Sequence, residues 1–273
     1  MCGHHVIESV RARMLSRRGL LLGGAAAGAA LAAAPLAATP AAARTAGGTL
    51  TDLTHTLSAD FPTFVGAPGF TKTEVANFAT GGYNMFDLAI AEHSGTHLDA
   101  PIHFSADGQT VDEIPVRNLM APLVIVDIRG KAAEDPDAQV TPDDIRAFVA
   151  EHGDIPAGAV VAMNSGWADH VATGKFRNAD DDGVMHFPGF HVEAAQMLIE
   201  EAEVVGIAVD TLSLDHGPSA DFATHYAWLP TNRWGLECVA GLSALPATGA
   251  TIVVGAPKFH GGTGGPTRVF ALA

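Results

Sequence analysis

Three histidines and an aspartate fall within eleven residues, at His93, His97, Asp99 and His103 in the stretch Glu92-His93-Ser94-Gly95-Thr96-His97-Leu98-Asp99-Ala100-Pro101-Ile102-His103-Phe104. Imidazole and carboxylate are ligand types that Zn²⁺ and Mn²⁺ use. The four positions share odd parity, so an extended strand would turn all of them to one side. His97 and Asp99, two residues apart, can converge on one ion whose bound atoms sit about 2 Å away. On a straight strand the Cα atoms of His93 and His97 would stand roughly 13 Å apart, too far for a shared ion. The chain must bend between them, and Gly95 stands where the bend is needed. Pro101 then redirects the chain before His103. A lone histidine here would read as an ordinary polar residue at a strand end; four metal-capable side chains at this density read as a site.

The elements that must position these residues alternate in type. Apolar runs at Leu123–Ile128, Ala159–Met163, Val204–Val209, Thr251–Val254 and Thr267–Leu272 predict strands, most of them buried. Thr49–Ser58 shows strand-like alternation. Phe86, Leu88 and Ile90 alternate with Asp87, Ala89 and Ala91, which predicts a half-buried strand. Thr141-Pro142-Asp143-Asp144 starts a helix with a Thr cap, Pro in the first turn and acids behind it; Ile145, Phe148 and Val149 form its apolar face and Gly153 ends it. A second helix is predicted over Val192–Glu203, with Ala195, Leu198 and Ile199 inward. Strands and helices interleaved with irregular loops imply an α/β fold with mixed sheets. There is no dinucleotide-binding glycine motif and no G-x-S-x-G nucleophile turn. His260-Gly261-Gly262-Thr263-Gly264-Gly265 lacks the lysine of a phosphate loop and reads as a connection between strands. His186 and His191 read as turn and helix-cap residues, and Cys238 as a small buried residue.

The chain has 273 residues, 48% hydrophobic and 16% charged, with a formal net charge of −15. Five of its 15 basic residues lie in the first 44 positions, where Glu8 is the single acid, leaving a net of −19 beyond them. No basic stripe exists, which argues against nucleic acid and anionic membrane surfaces as partners. Ser16-Arg17-Arg18-Gly19-Leu20-Leu21-Leu22 opens an Ala-rich apolar run to Pro35, and Ala41-Ala42-Ala43 offers a cleavage site. Residues 1–43 therefore read as a twin-arginine export signal or a Sec signal with two arginines, and residues 44–273 as the mature domain, periplasmic or extracellular. No permanent membrane span is expected. Once the signal is removed Cys238 is the sole cysteine, so neither an intrachain disulfide nor a closed thiolate zinc site can form.

The pattern His93-x-Gly95-Thr96-His97-x-Asp99-x-Pro101-x-His103-Phe104 resembles the signature of the cyclase family of metal-dependent hydrolases, which includes bacterial kynurenine formamidases and isatin hydrolases. Asp52-Leu53, Phe187-Pro188-Gly189, Asp210-Thr211-x-Ser213-x-Asp215 and Gly264-Gly265-Pro266-x-Arg268 support it, and the similarity runs from about Leu50 to the C-terminus. The resemblance implies a swivelling β/β/α-like architecture. It also draws in His225 and Glu237, which by residue type alone read as a capping or surface histidine and a solvated helical charge. It implies His93, His97 and Asp99 on one ion, His225 on another, Asp99 and Glu237 bridging, and His103 as proton donor and acceptor. The cofactor is then Zn²⁺, two per chain, or a single Mn²⁺ as in isatin hydrolases.

The activity so implied is metal-activated hydrolysis of a C–N bond in a small formamide, cyclic amide or related carbonyl compound. A lactone hydrolase and an exported metal- or ligand-binding protein without turnover remain open alternatives. Formamidases of the family pack an aromatic substrate on a tryptophan in an early loop. Here Pro62-Thr63-Phe64-Val65-Gly66 stands in that place, so Phe64 is the candidate substrate contact. The resemblance further implies a homo-oligomer, a dimer or a tetramer.

Overall fold

The computed structural model describes residues 48–273; the export signal expected over residues 1–43 lies outside them. Thirteen strands are described. In chain order they begin β1 (Leu50–Asp52), β2 (Phe70–Ala76), β3 (Met85–Ile90), β4 (His97–Asp99), β5 (Met120–Asp127), β6 (Gln139–Val140) and β7 (Val160–Asn164). They continue β8 (Gly189–Phe190), β9 (Gly206–Val209), β10 (Trp234–Glu237), β11 (Ala250–Gly255), β12 (Gly264–Pro266) and β13 (Arg268–Leu272). The helices used below are α1 (Pro142–His152), α2 (Val192–Glu201) and the short α3 (Ala223–Trp228).

Nine strands form one mixed sheet in the order β1-β13-β11-β5-β7-β9-β10-β4-β12. The central run β5-β7-β9-β10 is parallel, and every other pairing is antiparallel. Side chains of a strand alternate between faces, and β5 divides its apolar residues accordingly. Leu123 and Ile125 join a core with Leu98, Trp234, Leu236 and Ile252. Val124 and Val126 join a second core with Ile145 and Phe148 of α1, Leu198 of α2 and Trp228. The parallel strands, covered on both faces, need the continuous apolar runs that the sequence shows.

Local chemistry sets several boundaries. At the start of α1, Thr141 Oγ1 accepts the Asp144 amide at 3.4 Å while Asp144 Oδ2 accepts the Thr141 amide at 2.7 Å, a reciprocal capping box. Gly153, with φ +87°, stops the helix. His191 caps α2, which ends at Glu201 rather than Glu203. β1 is shorter than the alternation over Thr49–Ser58 predicts. Beyond it the Thr54 hydroxyl donates to Val269 O at 2.9 Å and accepts the Val269 amide at 2.7 Å, replacing a backbone rung by a side chain.

Residues 73–87 fall outside the main compact unit, and β2 and β3 pair as a two-stranded sheet. The strand predicted around Phe86 exists, but no residue of Met85–Ile90 is buried. Alternation predicts a half-buried strand only where a second layer covers one face, and a two-stranded ribbon supplies none of its own. Among the described residues no helix is long and apolar enough to cross a membrane.

β4 lies between β10 and β12, and Asp99 is flanked by glycine on both sides, Gly235 on β10 and Gly264 on β12. A Cβ at Gly264 would run into the Leu98 carbonyl oxygen and stand 2.9 Å from His93 Cε1. Gly264→Ala is therefore expected to destabilise the fold by about 1–3 kcal/mol as overpacking, read as a lowered midpoint in urea unfolding with an unchanged slope.

Candidate metal centre and active site

The bend expected at Gly95 is present: its φ is +67°, and His93 precedes the strand while His97 and Asp99 lie on β4. The His93 and His97 ring centroids come to 5.3 Å. Pro101 opens a 3-10 turn over Pro101–Phe104 that carries His103 back over His93, where the two rings stack with centroids 3.7 Å apart and planes 18° from parallel. Glu237 ends β10 directly opposite His97 in the antiparallel register, which makes the two side chains cross-strand neighbours. It is a buried strand residue, 5% exposed, and not the solvated helical charge that residue type alone predicts. His225 sits on α3, 3% exposed, and corrects the surface reading likewise.

The converging atoms are well defined. His93 Nδ1 lies 2.6 Å from Asp99 Oδ1, and His97 Nε2 lies 3.3 Å from both Asp99 Oδ1 and Glu237 Oε2. His225 Nε2 lies 3.2 Å from Glu237 Oε1 and 3.6 Å from Asp99 Oδ2. Each carboxylate thus turns one oxygen toward His97 and the other toward His225. Among the described residues, two sets of ligand-type atoms lie within 4.8 Å of one another: His93, Asp99 and His103, and His97, Asp99 and Glu237.

Hydrogen bonds orient the rings. His97 Nδ1 lies 2.8 Å from Gly95 O, which as a carbonyl can only accept, so the proton is on Nδ1 and Nε2 faces the carboxylates. His225 Nδ1 lies 2.6 Å from Asp215 Oδ2, and Asp215 also accepts the Thr224 and His225 amides at 2.7 and 3.2 Å. This carboxylate–histidine pairing is the arrangement that fixes a metal-ligating imidazole. Asp215 stands in a stretch that resembles the family, but its role is visible only in the fold, because ten residues separate it from the ring it holds.

A divalent cation fits this donor set. His97 Nε2 and Asp99 Oδ2 are buried without a hydrogen-bond partner, a costly condition unless something else satisfies them. Burial opposes charge on His97, yet its contacts with Asp99 and Glu237 outweigh this and lift its pKa to about 10. Burial likewise opposes charge on His225, and Asp215, Asp99 and Glu237 raise it well above the ordinary value. Asp99 is held well below the usual carboxylate range: burial opposes its charge, but contacts with His225, His93 and His97 prevail. A field that demands positive charge this strongly is what a metal ion would meet. His103 differs, since burial lowers it to about 4 against the pull of Asp99, with His93 and His225 adding to the lowering.

The residues open onto a cavity of about 650 Å³ whose floor includes His93, His97, His103, His225 and Glu237. Phe64, Phe104 and Phe222 line its wall, with Phe64–Phe222 and Phe104–Phe222 centroids 5.7 and 5.6 Å apart. Phe64 is held by its loop: Arg177 Nη2 donates to Phe64 O at 3.1 Å and Thr63 Oγ1 to Ala67 O at 2.6 Å. Phe222, with φ +50°, has no local pattern that announces it, and Phe104 lies in the histidine signature without an assigned role. Cys238 is buried, as its residue type predicts, and also lines the cavity.

The family described as "Putative cyclase" matches residues 51–216. An isatin hydrolase of Roseibium aggregatum is 36% identical over 195 residues, 68% of this chain and 73% of its own length. A kynurenine formamidase of Salinibacter ruber is 25% identical over 202 residues, 73% and 84% of the two chains. The solved structure of isatin hydrolase A from Labrenzia aggregata bound to benzyl benzoate superposes with a TM-score of 0.78 at 36% identity, covering 83% of this chain and 94% of that one.

Zn²⁺ or Mn²⁺ at about 100 times its Kd is expected to stabilise the chain by about 2.7 kcal/mol, a Tm rise of roughly 5–10 °C. Asp99→Asn is expected to remove most of that rise, measured by scanning calorimetry with and without the metal.

Proposed function

This chain belongs to the cyclase family of metal-dependent hydrolases, and we propose that it opens a neutral cyclic amide fused to an aromatic ring. It is an enzyme acting on a C–N bond, and isatin, named in one of its relatives, is a compound of this class. The observation that carries the substrate class is the cavity itself: Phe64, Phe104 and Phe222 form an apolar aromatic wall, and among the described residues its lining includes no Lys or Arg. A flat neutral ring suits such a wall, whereas an amino-acid substrate brings a carboxylate that this lining does not pair.

His93, His97 and Asp99 would hold one cation and His225 a second, with Asp99 and Glu237 turned toward both. Bound there, divalent cations supply Lewis acidity, which acidifies water and polarises a carbonyl. The chain's own residues do the rest. Asp215 and Gly95 O keep the Nε2 atoms of His225 and His97 aimed inward. The aromatic wall orients the substrate ring and excludes bulk water. His103, neutral at pH 7 because burial lowers its pKa, accepts a proton from the attacking water on its imidazole and delivers it to the departing nitrogen. A C–O bond forms, the C–N bond breaks, and the nitrogen gains the proton.

A formamide is the second reading, favoured by His225 and Glu237, which support the two-cation centre that the resemblance to formamidases implies. We further propose a homo-oligomer, supported by the exposed apolar residues Val75, Phe78 and Met85. Export of the mature enzyme stays a proposal supported by the twin arginines and the Ala41–Ala43 site.

Hydrolysis of isatin and of aryl formamides, followed by absorbance on the metal-loaded chain, tests the substrate class; turnover of formamides alone rejects it. His103→Ala is expected to retain metal and lose roughly 10²–10⁴-fold in kcat; loss of metal would make His103 a ligand instead. Elemental analysis should find close to two metal ions per chain and fewer in Glu237→Gln, and one ion per wild-type chain would select the single-cation site.

A further inference from the structure

The loop ahead of β12 delivers Thr263 to His93. Thr263 Oγ1 lies 2.9 Å from His93 Nε2 and 2.6 Å from Glu92 Oε2, and the Thr263 amide donates to Glu92 Oε1 at 3.1 Å. A threonine hydroxyl has one proton, and an ionised carboxylate only accepts. The hydroxyl proton therefore goes to Glu92, and the hydroxyl oxygen must accept from His93. That places a ring proton on Nε2 and leaves Nδ1, the atom 2.6 Å from Asp99 Oδ1, as the nitrogen whose proton a cation would replace.

His93 is the reverse of its neighbours. His97 and His225 carry their protons on Nδ1, toward Gly95 O and Asp215, and face the centre through Nε2. A hydroxyl alone would leave His93 undecided, because it can donate as well as accept. The carboxylate behind it removes the choice. The loop is also built to hold this pair: Ala100 N donates to Thr263 O at 2.9 Å, Val111 N donates to Gly262 O at 2.9 Å, and a Cβ at Gly262 would stand 3.0 Å from Glu92 Oε1.

We propose that Glu92 and Thr263 are positioning residues which fix His93 in its Nε2–H form and so reserve Nδ1 for the metal. The relay rests on the metal reading of the centre. Neither residue touches substrate in this role; both act through the ring. Thr263→Val removes the hydroxyl at nearly constant shape, Thr263→Ser keeps it, and Glu92→Ala frees it to donate the wrong way.

The test is Mn²⁺ affinity of the full chain by chelator competition, with circular dichroism and Tm of each metal-free variant as controls for folding. Thr263→Val is expected to weaken binding roughly 10–100-fold, as losing a partner of a metal ligand does, while Thr263→Ser stays within about threefold of wild type. Glu92→Ala weakens binding in the same direction, and it carries the comparison where Thr263→Val does not fold. In Zn²⁺-loaded protein with ¹⁵N-labelled histidine, His93 is expected to carry its proton on Nε2, and His97 and His225 theirs on Nδ1. Unchanged affinity in a folded Thr263→Val or Glu92→Ala, or a proton on His93 Nδ1, overturns the relay and leaves the metal centre standing. A wild-type chain that takes up neither Mn²⁺ nor Zn²⁺ removes the metal reading, and the relay with it.

Discussion

Two carboxylates buried side by side are the constraint around which this molecule is arranged. Asp99 is 1% and Glu237 5% exposed, and three imidazoles come within 3.6 Å of their oxygens. Charge removed from water in this way is tolerable only when it is paired and every remaining lone pair has a partner. Protons on His97 and His225 can supply part of that positive charge, and a divalent cation can supply it in a smaller volume. The second layer follows from the same need. Asp215 accepts three N–H groups while presenting His225, and Gly95 O fixes His97 without adding charge.

The sheet makes this burial possible by what it leaves out. β4 is three residues long, and at Asp99 both neighbouring strands present glycine. At His97 the neighbours are Glu237 and Pro266, so the only ionisable cross-strand partner is the one that shares the site. Leu98, between the two polar residues, points the other way and is fully buried in the apolar core. One short strand therefore anchors the sheet with one side chain and the chemistry with two, and the glycine beside Asp99 cannot gain a methyl group without pushing on the Leu98 carbonyl.

Local signals in the sequence were sufficient wherever the cause was local. The Thr141 cap, the Gly153 stop, the apolar runs of the central strands and the bend at Gly95 all depend on residues within a turn of one another. The histidine signature belongs to this class, since its spacing and its glycine already require a folded-back segment. Glu237 and His225 do not. Their burial arises from pairing across β10 and β4 and from packing of α3, contacts between segments more than 100 residues apart, and only resemblance to a family pointed to them beforehand. The strand at Met85–Ile90 fails in the opposite sense. Its alternation is real, but alternation reports what a strand could bury and not whether a second layer is there.

The four imidazoles of the cleft illustrate how one environment can divide labour among identical side chains. Burial opposes charge on His97, His103 and His225. His97 and His225 touch carboxylates directly and are pushed far the other way. His103 has no carboxylate in hydrogen-bond contact, lies flat against His93, and is left with the effect of burial, a pKa of about 4. The rings proposed to hold cations contact Asp99 and Glu237, the ring proposed to carry a proton does not, and that difference in contact separates their tendencies. The division depends on which ring nitrogen faces inward as much as on distance. At His97 and His225 a single acceptor behind the ring decides it, a carbonyl in one case and a carboxylate in the other. At His93 a hydroxyl stands behind the ring, and a hydroxyl decides nothing until a further acceptor, Glu92, takes its proton.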